Sequence, residues 1–168
     1  MTEQTITQLF SELKQKDFYN KFIKENPDAF LAAGFFVLDL ENNYNKYQLD
    51  FFIPQLNKIA IAEYPFKEIK IQEDEITEAQ ILNENPLVDL DDLIDEINKL
   101  KIKNDYDKKT NKIIAILKDN FWSLTCMSIT FDILKIRINS LTGECEKFEK
   151  ANLMNFIDIK KKTISSSL

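Results

Sequence analysis

Residues 112–148 read KIIAILKDNFWSLTCMSITFDILKIRINSLTGECEKF, a stretch rich in β-branched and aromatic residues. Short polar joints divide it into four predicted strands, at Lys112–Lys118, Phe121–Met127, Phe131–Asn139 and Glu144–Phe148. Joints of a few residues connect antiparallel neighbours. Gly143 lies in the last joint, where a tight turn requires a positive φ that glycine adopts without strain. The stretch predicts a four-stranded antiparallel sheet.

A second strand-forming region lies earlier in the chain, over residues 30–64. Apolar and polar residues alternate over Tyr47–Ile53, after a turn cluster at residues 41–45, and this pattern predicts a hairpin. A third strand is predicted over Lys58–Tyr64. It ends at Pro65, because proline cannot donate to a central ladder.

Helical patterns precede both strand regions. Apolar residues recur at helical spacing over residues 5–14 and again after Asp17, until Pro27 ends the pattern. Another helix is predicted over Asp89–Leu100, with Asp89 as its N-cap. The chain is therefore expected to place a helix before each group of strands.

These patterns predict an α+β protein in which helices pack on one face of antiparallel sheet. Residues 1–72 form a unit of helix and three strands, residues 73–88 an acidic connector, and residues 89–158 a unit of helix and four strands. Residues 159–168 are a polar tail, expected to be disordered. The two units either share one continuous sheet or pack as neighbours. A short terminal turn is expected to help close the core, with Leu153, Phe156 and Ile157.

The composition excludes several classes of enzyme. The 168 residues are 44% hydrophobic and 30% charged, and they include no histidine and two glycines. Without histidine, the commonest general base and metal ligand is missing. With glycine only at Gly34 and Gly143, no glycine-rich phosphate loop can be written. Classical triads, zinc hydrolase sites and most nucleotide motifs are therefore excluded, and no cofactor is expected.

The net charge of −6 comes from one segment. Residues 73–96 contain ten acidic and no basic residues, whereas the rest of the chain carries 18 acidic and 22 basic residues. Binding to nucleic acid requires clustered lysine and arginine, and Arg137 is the one arginine in the sequence. We therefore expect no nucleic-acid partner.

The second half resembles the PepSY-like pattern. Its helix at residues 89–100 is followed by Phe121-Trp122-Ser123-Leu124 and by a strand that ends in Asn139-Ser140-Leu141-Thr142-Gly143-Glu144. The family pattern has a strand with W-x-hydrophobic and a strand ending near D-A-x-T-G-E. This resemblance covers about residues 89–150. It implies a cystatin-like sheet curled around a helix, in a binding or peptidase-restraining module without catalytic residues.

The acidic helix offers the one candidate metal site. Asp91, Asp92 and Asp95 spell D-D-x-x-D, and helical spacing places Asp91 and Asp95 on one face and Asp92 and Glu96 on another. Carboxylates at a helix start are also stabilised by the helix dipole without any metal. We expect no metal here. The alternative is a small enzyme that uses these carboxylates with a divalent ion.

Contact surfaces are the more plausible active regions. The four acidic residues of the helix could steer a basic partner. Tyr47 and Phe52 add an aromatic surface, since Phe52 is expected either to meet the first helix or to be exposed. Trp122 is expected in the core. The sequence thus predicts a non-catalytic binding or adaptor module with an unknown protein partner, and a homodimer is one possibility.

The remaining features favour a cytoplasmic protein. The chain has two cysteines, Cys126 and Cys145, and no basic and apolar secretory signal at its start. Its longest largely apolar run, Phe30–Leu38, is far shorter than the roughly 20 residues of a membrane helix. We therefore expect no membrane partner, and a disulfide between the cysteines is not expected in a reduced compartment.

Overall fold

The computed structural model describes residues 4–154, which form three helices and one eight-stranded sheet. The first half contains α1 (Ile6–Lys14), α2 (Asp17–Glu25), β1 (Phe30–Asp39), β2 (Tyr44–Ile53), β3 (Lys58–Glu63) and β4 (Lys70–Glu75). The second half contains α3 (Leu93–Lys103), β5 (Lys112–Lys118), β6 (Phe121–Met127), β7 (Asp132–Asn139) and β8 (Cys145–Asn152). A 3₁₀ turn, Leu90–Asp92, leads directly into α3.

The sheet joins two meanders through their first strands. Its order is β4-β3-β2-β1-β5-β6-β7-β8, and every pair of neighbours is antiparallel. At the central seam between β1 and β5, Phe36 lies opposite Ala115. The predicted α+β class, with helices packed on antiparallel sheet, is confirmed. Of the two arrangements that the sequence left open, the halves adopt the single continuous sheet.

Local sequence explains where the helices begin. Thr5 Oγ1 accepts a hydrogen bond from Gln8 N at 3.1 Å, and Gln8 Oε1 accepts one from Thr5 N at 2.9 Å, which together form a capping box. The Asp89 carboxylate accepts from Leu90 N at 2.7 Å and from Ile6 N at 2.9 Å. One side chain therefore links the starts of α1 and of the α3 region. Within residues 4–154, no helix has the length and apolarity needed to span a membrane.

The core lies between the helices and one face of the sheet. In the first half, the Phe51 ring packs against three helix aromatics, with centroid distances of 5.6 Å to Phe10, 5.8 Å to Tyr19 and 6.1 Å to Phe22. In the second half, Trp122 is fully buried, as expected, and its Nε1 donates to Val88 O at 2.7 Å. The two cores are continuous across the seam, where the Phe36 ring of β1 lies 5.7 Å from the Trp122 ring of β6.

The first half has one strand more than predicted. β4 lies at the sheet edge and pairs with β3, so residues 73–75 of the predicted connector belong to the sheet. Every residue of β4 is exposed, so the strand has no buried face and shows no apolar alternation. Residues 76–82, which follow β4, form neither helix nor strand.

The end of the chain bears on two further predictions. β8 continues to Asn152, beyond the predicted end at Phe148, and Leu153 is exposed. The expected contribution of Leu153 to the core is therefore wrong. Phe156, Ile157 and the tail 159–168 lie outside the described residues.

Candidate functional site

The face of the sheet opposite the helices, here called the open face, carries an apolar block at its centre. Phe35 of β1 lies opposite Ile116 of β5, and Val37 lies opposite Ile114. Strand alternation directs these four side chains away from the buried neighbours Phe36, Leu38, Ile113, Ala115 and Leu117. The three helices cover the other face. The four side chains are half-buried or exposed, so they form an apolar patch on the surface.

Polar side chains surround this apolar block on the neighbouring strands. On β2, Lys46 lies opposite Val37 and Gln48 lies opposite Phe35. On β6, Thr125 lies opposite Ile114 and Ser123 lies opposite Ile116. An apolar centre with a polar border is the usual anatomy of a contact surface.

Further out on β7 and β8, the open face carries two ion pairs. Arg137 Nε lies 3.2 Å from Glu146 Oε2, and its guanidinium lies 4.1 Å from the centroid of the Phe121 ring. Lys147 Nζ lies 2.9 Å from Glu149 Oε2. This side of the surface is therefore polar but largely neutralised.

Over the first half, a segment of chain crosses the open face. Residues 76–82 leave β4 at the sheet edge, where Ile76 N donates to Asn57 O at 2.7 Å, and reach the start of β1, where Leu82 N donates to Leu31 O at 2.9 Å. We call residues 76–82 the strap. A cleft of about 280 Å³ lies between the strap and the sheet, and β4 contributes Gln72 and Asp74 to its lining.

The cleft has apolar walls and several carboxylates. Its lining is formed by Ala32, Ala33, Asp50, Ile59, Ile61, Gln72, Asp74, Ile76, Glu78, Ala79, Gln80, Lys118 and Asp119. Burial raises the pKa of Asp50, and the hydrogen bond from Gln48 Nε2, 2.8 Å long, acts in the opposite direction. Asp50 is therefore a carboxylate held in a poorly solvated position on the open face.

The acidic residues predicted from the sequence lie elsewhere, at the start of the α3 region. Asp91 and Asp92 belong to the 3₁₀ turn, and Asp95 and Glu96 to the first turn of α3, as the helix dipole favours. Asp92 Oδ2 accepts from Asp89 N at 2.9 Å, so this carboxylate serves the cap. Burial and the charge of Asp92 raise the pKa of Asp91.

These carboxylates do not converge on an ion site. Within residues 4–154, no group of three or more aspartate, glutamate, cysteine or histidine side chains is placed to hold a metal. Glu96 Oε1 instead lies 3.4 Å from Lys99 Nζ. The geometry gives the hypothesis of a metal-dependent enzyme no support among the described residues.

The predicted aromatic surface of Tyr47 and Phe52 is not formed. Phe52 is 6% exposed and packs against Phe30, with 5.7 Å between ring centroids. It meets neither the first helix nor solvent, so the prediction for Phe52 is wrong. The reason is that the chain folds back over this part of the open face: Ile59, the cross-strand neighbour of Phe52, lines the cleft under the strap.

Tyr47 is half-buried and has neighbours of its own. Its ring centroid lies 6.2 Å from that of Phe36 and 5.6 Å from that of Tyr64. It therefore belongs to the edge of the core, and the structure does not bring Tyr47 and Phe52 together with the acidic helix residues.

Two residues near the end of α3 bear on reactive chemistry. Burial raises the pKa of the Cys126 thiol to about 12, although the nearby Lys101 acts to lower it. Lys101 is itself buried and donates from Nζ to Lys108 O at 3.0 Å and to Thr110 Oγ1. Cys126 is thus a buried core thiol, and its raised pKa disfavours the reactive thiolate form. Cys126 and Cys145 are both free, and they lie opposite different positions of β7, Leu134 and Ile138.

Sequence reasoning missed the apolar block and the cleft, although a signal for the block was present. Residues 35–38 and 113–117 are unbroken apolar runs, and continuous runs indicate strands with apolar side chains on both faces. The cleft had no comparable local signal, because its lining combines the strap with residues from β1, β2, β3, β4 and β5.

Comparison with known proteins identifies the fold and goes no further. No family model matches the chain, and no curated protein matches its sequence. Among solved structures, the chain is similar to a "putative lipoprotein" from Clostridium difficile 630, with a TM-score of 0.52 and 14% sequence identity. The similarity covers 83% of this chain and 99% of that protein. At this identity the likeness shows a shared fold alone.

Proposed function

We propose that this protein is a non-catalytic binding module that contacts a protein partner through the open face of its sheet. The observation that carries the proposal is the block of Phe35, Val37, Ile114 and Ile116, which lies on the surface at the centre of the sheet. Covering apolar surface contributes roughly 25 cal/mol per Å². An uncovered block at the centre of a sheet thus provides a driving force for association.

The polar border supports a protein as the partner. Lys46, Gln48, Ser123 and Thr125 border the block on the neighbouring strands with hydrogen-bonding groups, and charged side chains border it along β1 and β5 at Asp39, Lys112 and Lys118. Interfaces between proteins typically combine an apolar centre, depleted in charge, with such a rim. A second copy of the chain would also satisfy this chemistry, so a homodimer is one form that the proposal can take.

The test compares two lysine variants at surface positions. Ile116→Lys combined with Ile114→Lys places two charges in the block, whereas Ile102→Lys places one on α3, where Ile102 is 79% exposed. We expect wild type and Ile102→Lys to capture the same protein from the native host, or to self-associate in light scattering, and the double variant to lose this binding. A partner retained by the double variant would contradict the proposal, as would a strictly monomeric protein that captures nothing.

The kinship and location suggested by the sequence are separate proposals. We infer a PepSY-like relationship for residues 89–150 from the Trp122 and Thr142-Gly143-Glu144 motifs, and the succession of α3 and a four-stranded meander supports it. The cytoplasmic location rests on the sequence alone, and fractionation of the native host with an antibody to the protein would test it.

A further inference from the structure

The cleft under the strap lies between the open face of the sheet and residues 76–80 of the strap. Ala33, Ile59 and Ile61 form its floor on the open face, and Ile76 and Ala79 of the strap contribute its roof. Its volume of about 280 Å³ suits a small molecule or a single long side chain. Apolar walls on both sides would exclude water from the body of such a ligand and contribute binding free energy.

A single carboxylate interrupts the apolar floor. Asp50 lies on β2 between Ala33 of β1 and Ile61 of β3, its cross-strand neighbours on the same face. Gln48 Nε2 donates to Asp50 Oδ1 and fixes the orientation of the carboxylate. Among residues 4–154, no lysine or arginine lies within ion-pair distance of it. A poorly solvated carboxylate gains from a cation brought to it.

The remaining charges of the lining favour a cation as well. Asp74, Glu78 and Asp119 add three carboxylates, and Lys118 is the one basic residue of the lining. Lys118 lies opposite Ala33 on β5, on the far side of β1 from Asp50. The cleft therefore combines a net negative lining with apolar walls, which suits a cation carried on an apolar chain rather than a hydrated metal ion.

We propose that the cleft binds a primary alkylammonium group, with its charge at Asp50 and its methylene chain between the apolar floor and the strap. Two sources share this chemistry: a free aliphatic amine, and a lysine side chain of a protein. The proposal is independent of the apolar block at the centre of the open face, since it concerns different residues over the first half of the sheet.

The experiment uses the full chain and n-pentylamine as the probe, followed by ¹H–¹⁵N NMR titration. We expect saturable shifts at residues of the cleft, and no comparable effect from 1-pentanol, which has the same chain length without the charge. Asp50→Asn should weaken binding by about tenfold or more, the usual effect of losing a charged hydrogen bond. Asp91→Asn, which removes a carboxylate from the 3₁₀ turn, should leave it unchanged.

A second variant tests the charge of the lining in the opposite direction. Lys118→Met removes the one cation of the lining and should tighten pentylammonium binding. Unchanged binding in Asp50→Asn, weaker binding in Lys118→Met, or equal shifts from pentanol and pentylamine would each overturn the proposal, as would no saturable shift in wild type.

The two sources are separated with Nα-acetyl-lysine methylamide, which carries the same amine on a peptide backbone. Binding of both compounds identifies the cleft as a lysine pocket, whereas binding of pentylamine alone identifies it as a site for free amines. If neither binds, the proposal fails, and the lysine variants of the apolar block test the binding-module proposal separately.

Discussion

The two halves of the sheet share a topology but differ in what covers their open faces. In the first half the strap lies over Ile59 and Ile61, and Phe52 nearby is almost fully buried. In the second half the corresponding face carries polar residues such as Thr125 and Lys135. Apolar side chains such as Ile59 and Ile61 thus lie where chain folds over this face, whereas Thr125 and Lys135 lie where it does not. The apolar block at the seam has no chain over it in either half.

The difference arises from the connector rather than from the repeated unit. Each half is a helical segment followed by a four-stranded meander, and the first strands of both meet at the seam. The connector leaves β4, crosses the open face as the strap, and continues to Val88 on the helix side. There Val88 O accepts a hydrogen bond from Trp122 Nε1. The acidic segment that sets the net charge thus follows both faces of the sheet.

The largest expected effect comes from truncating the central aromatic residue of either half. Phe51→Ala and Trp122→Ala should each lower the free energy of unfolding by about 3–5 kcal/mol, because each leaves a cavity in a close-packed core. Since the cores are continuous across the seam, we expect one cooperative transition in urea for both variants. Two separate transitions, with only the altered half destabilised, would show that the halves fold independently.

The seam itself is probed by Gly34→Ala. Gly34 lies within β1, and a Cβ there would fall 2.5 Å from Phe36 Cε2. The Phe36 ring is fully buried and lies 5.7 Å from the Trp122 ring, so it has little room to move. We expect a loss of about 1–3 kcal/mol in thermal or urea unfolding. An unchanged stability would mean that the packing across the seam is loose.

The link between the helices of the two halves is probed by Asp89→Ala. This change removes the acceptor for Ile6 N and Leu90 N and should cost about 1–2 kcal/mol. Hydrogen exchange should accelerate at the first turn of α1 as well as at the 3₁₀ turn. Asp89→Asn, which keeps an acceptor oxygen, serves as the control. Faster exchange confined to residues 90–92 would contradict the link.

The smallest effects on stability are expected from replacing one carboxylate in each half, Asp50 in the covered half and Asp132 in the uncovered half. The two effects should have opposite signs. Burial raises the pKa of Asp50, so its ionised form costs stability at neutral pH, and Asp50→Asn should be more stable than wild type at pH 7. Hydrogen bonds, the largest from Thr130, lower the pKa of Asp132, so Asp132→Asn should be less stable at pH 7.

Both differences should vanish in acid, because protonation removes the charge that each variant lacks. The measurement is urea unfolding between pH 7 and pH 3. The advantage of Asp50→Asn should shrink as the pH falls through the raised pKa of Asp50, and the deficit of Asp132→Asn should persist until the pH falls through the lowered pKa of Asp132. Shifts of the same sign at pH 7 would contradict the contrast between the halves.

Much of the fold was predictable because its signals are local. β5 and β6 have the predicted bounds, Gly143 adopts a φ of 80° in the β7–β8 turn, and Asp89 caps as expected. β4 was not predictable in the same way. It is held by pairing with β3 at the sheet edge, and an edge strand without a buried face leaves no periodic pattern.

The candidate sites were less predictable than the fold. The acidic residues Asp91 and Asp95 stand out in the sequence, yet they occupy a helix start where the dipole accounts for them. Asp50 belongs to no recognisable sequence motif. Its position in a cleft depends on the strap that crosses the open face above it. No local sequence pattern predicts a cleft whose walls come from several separate segments of the chain.

The sequence by itself determined the helices, most of the strands, the turns and the segment that carries the net charge, since spacing, capping and turn chemistry act over a few residues. The tertiary structure alone decided that β1 pairs with β5, that the strap covers one half of the open face, and that Phe52 is buried while Ile116 is exposed. These outcomes depend on contacts between residues far apart in the chain, whose free energies no local pattern records.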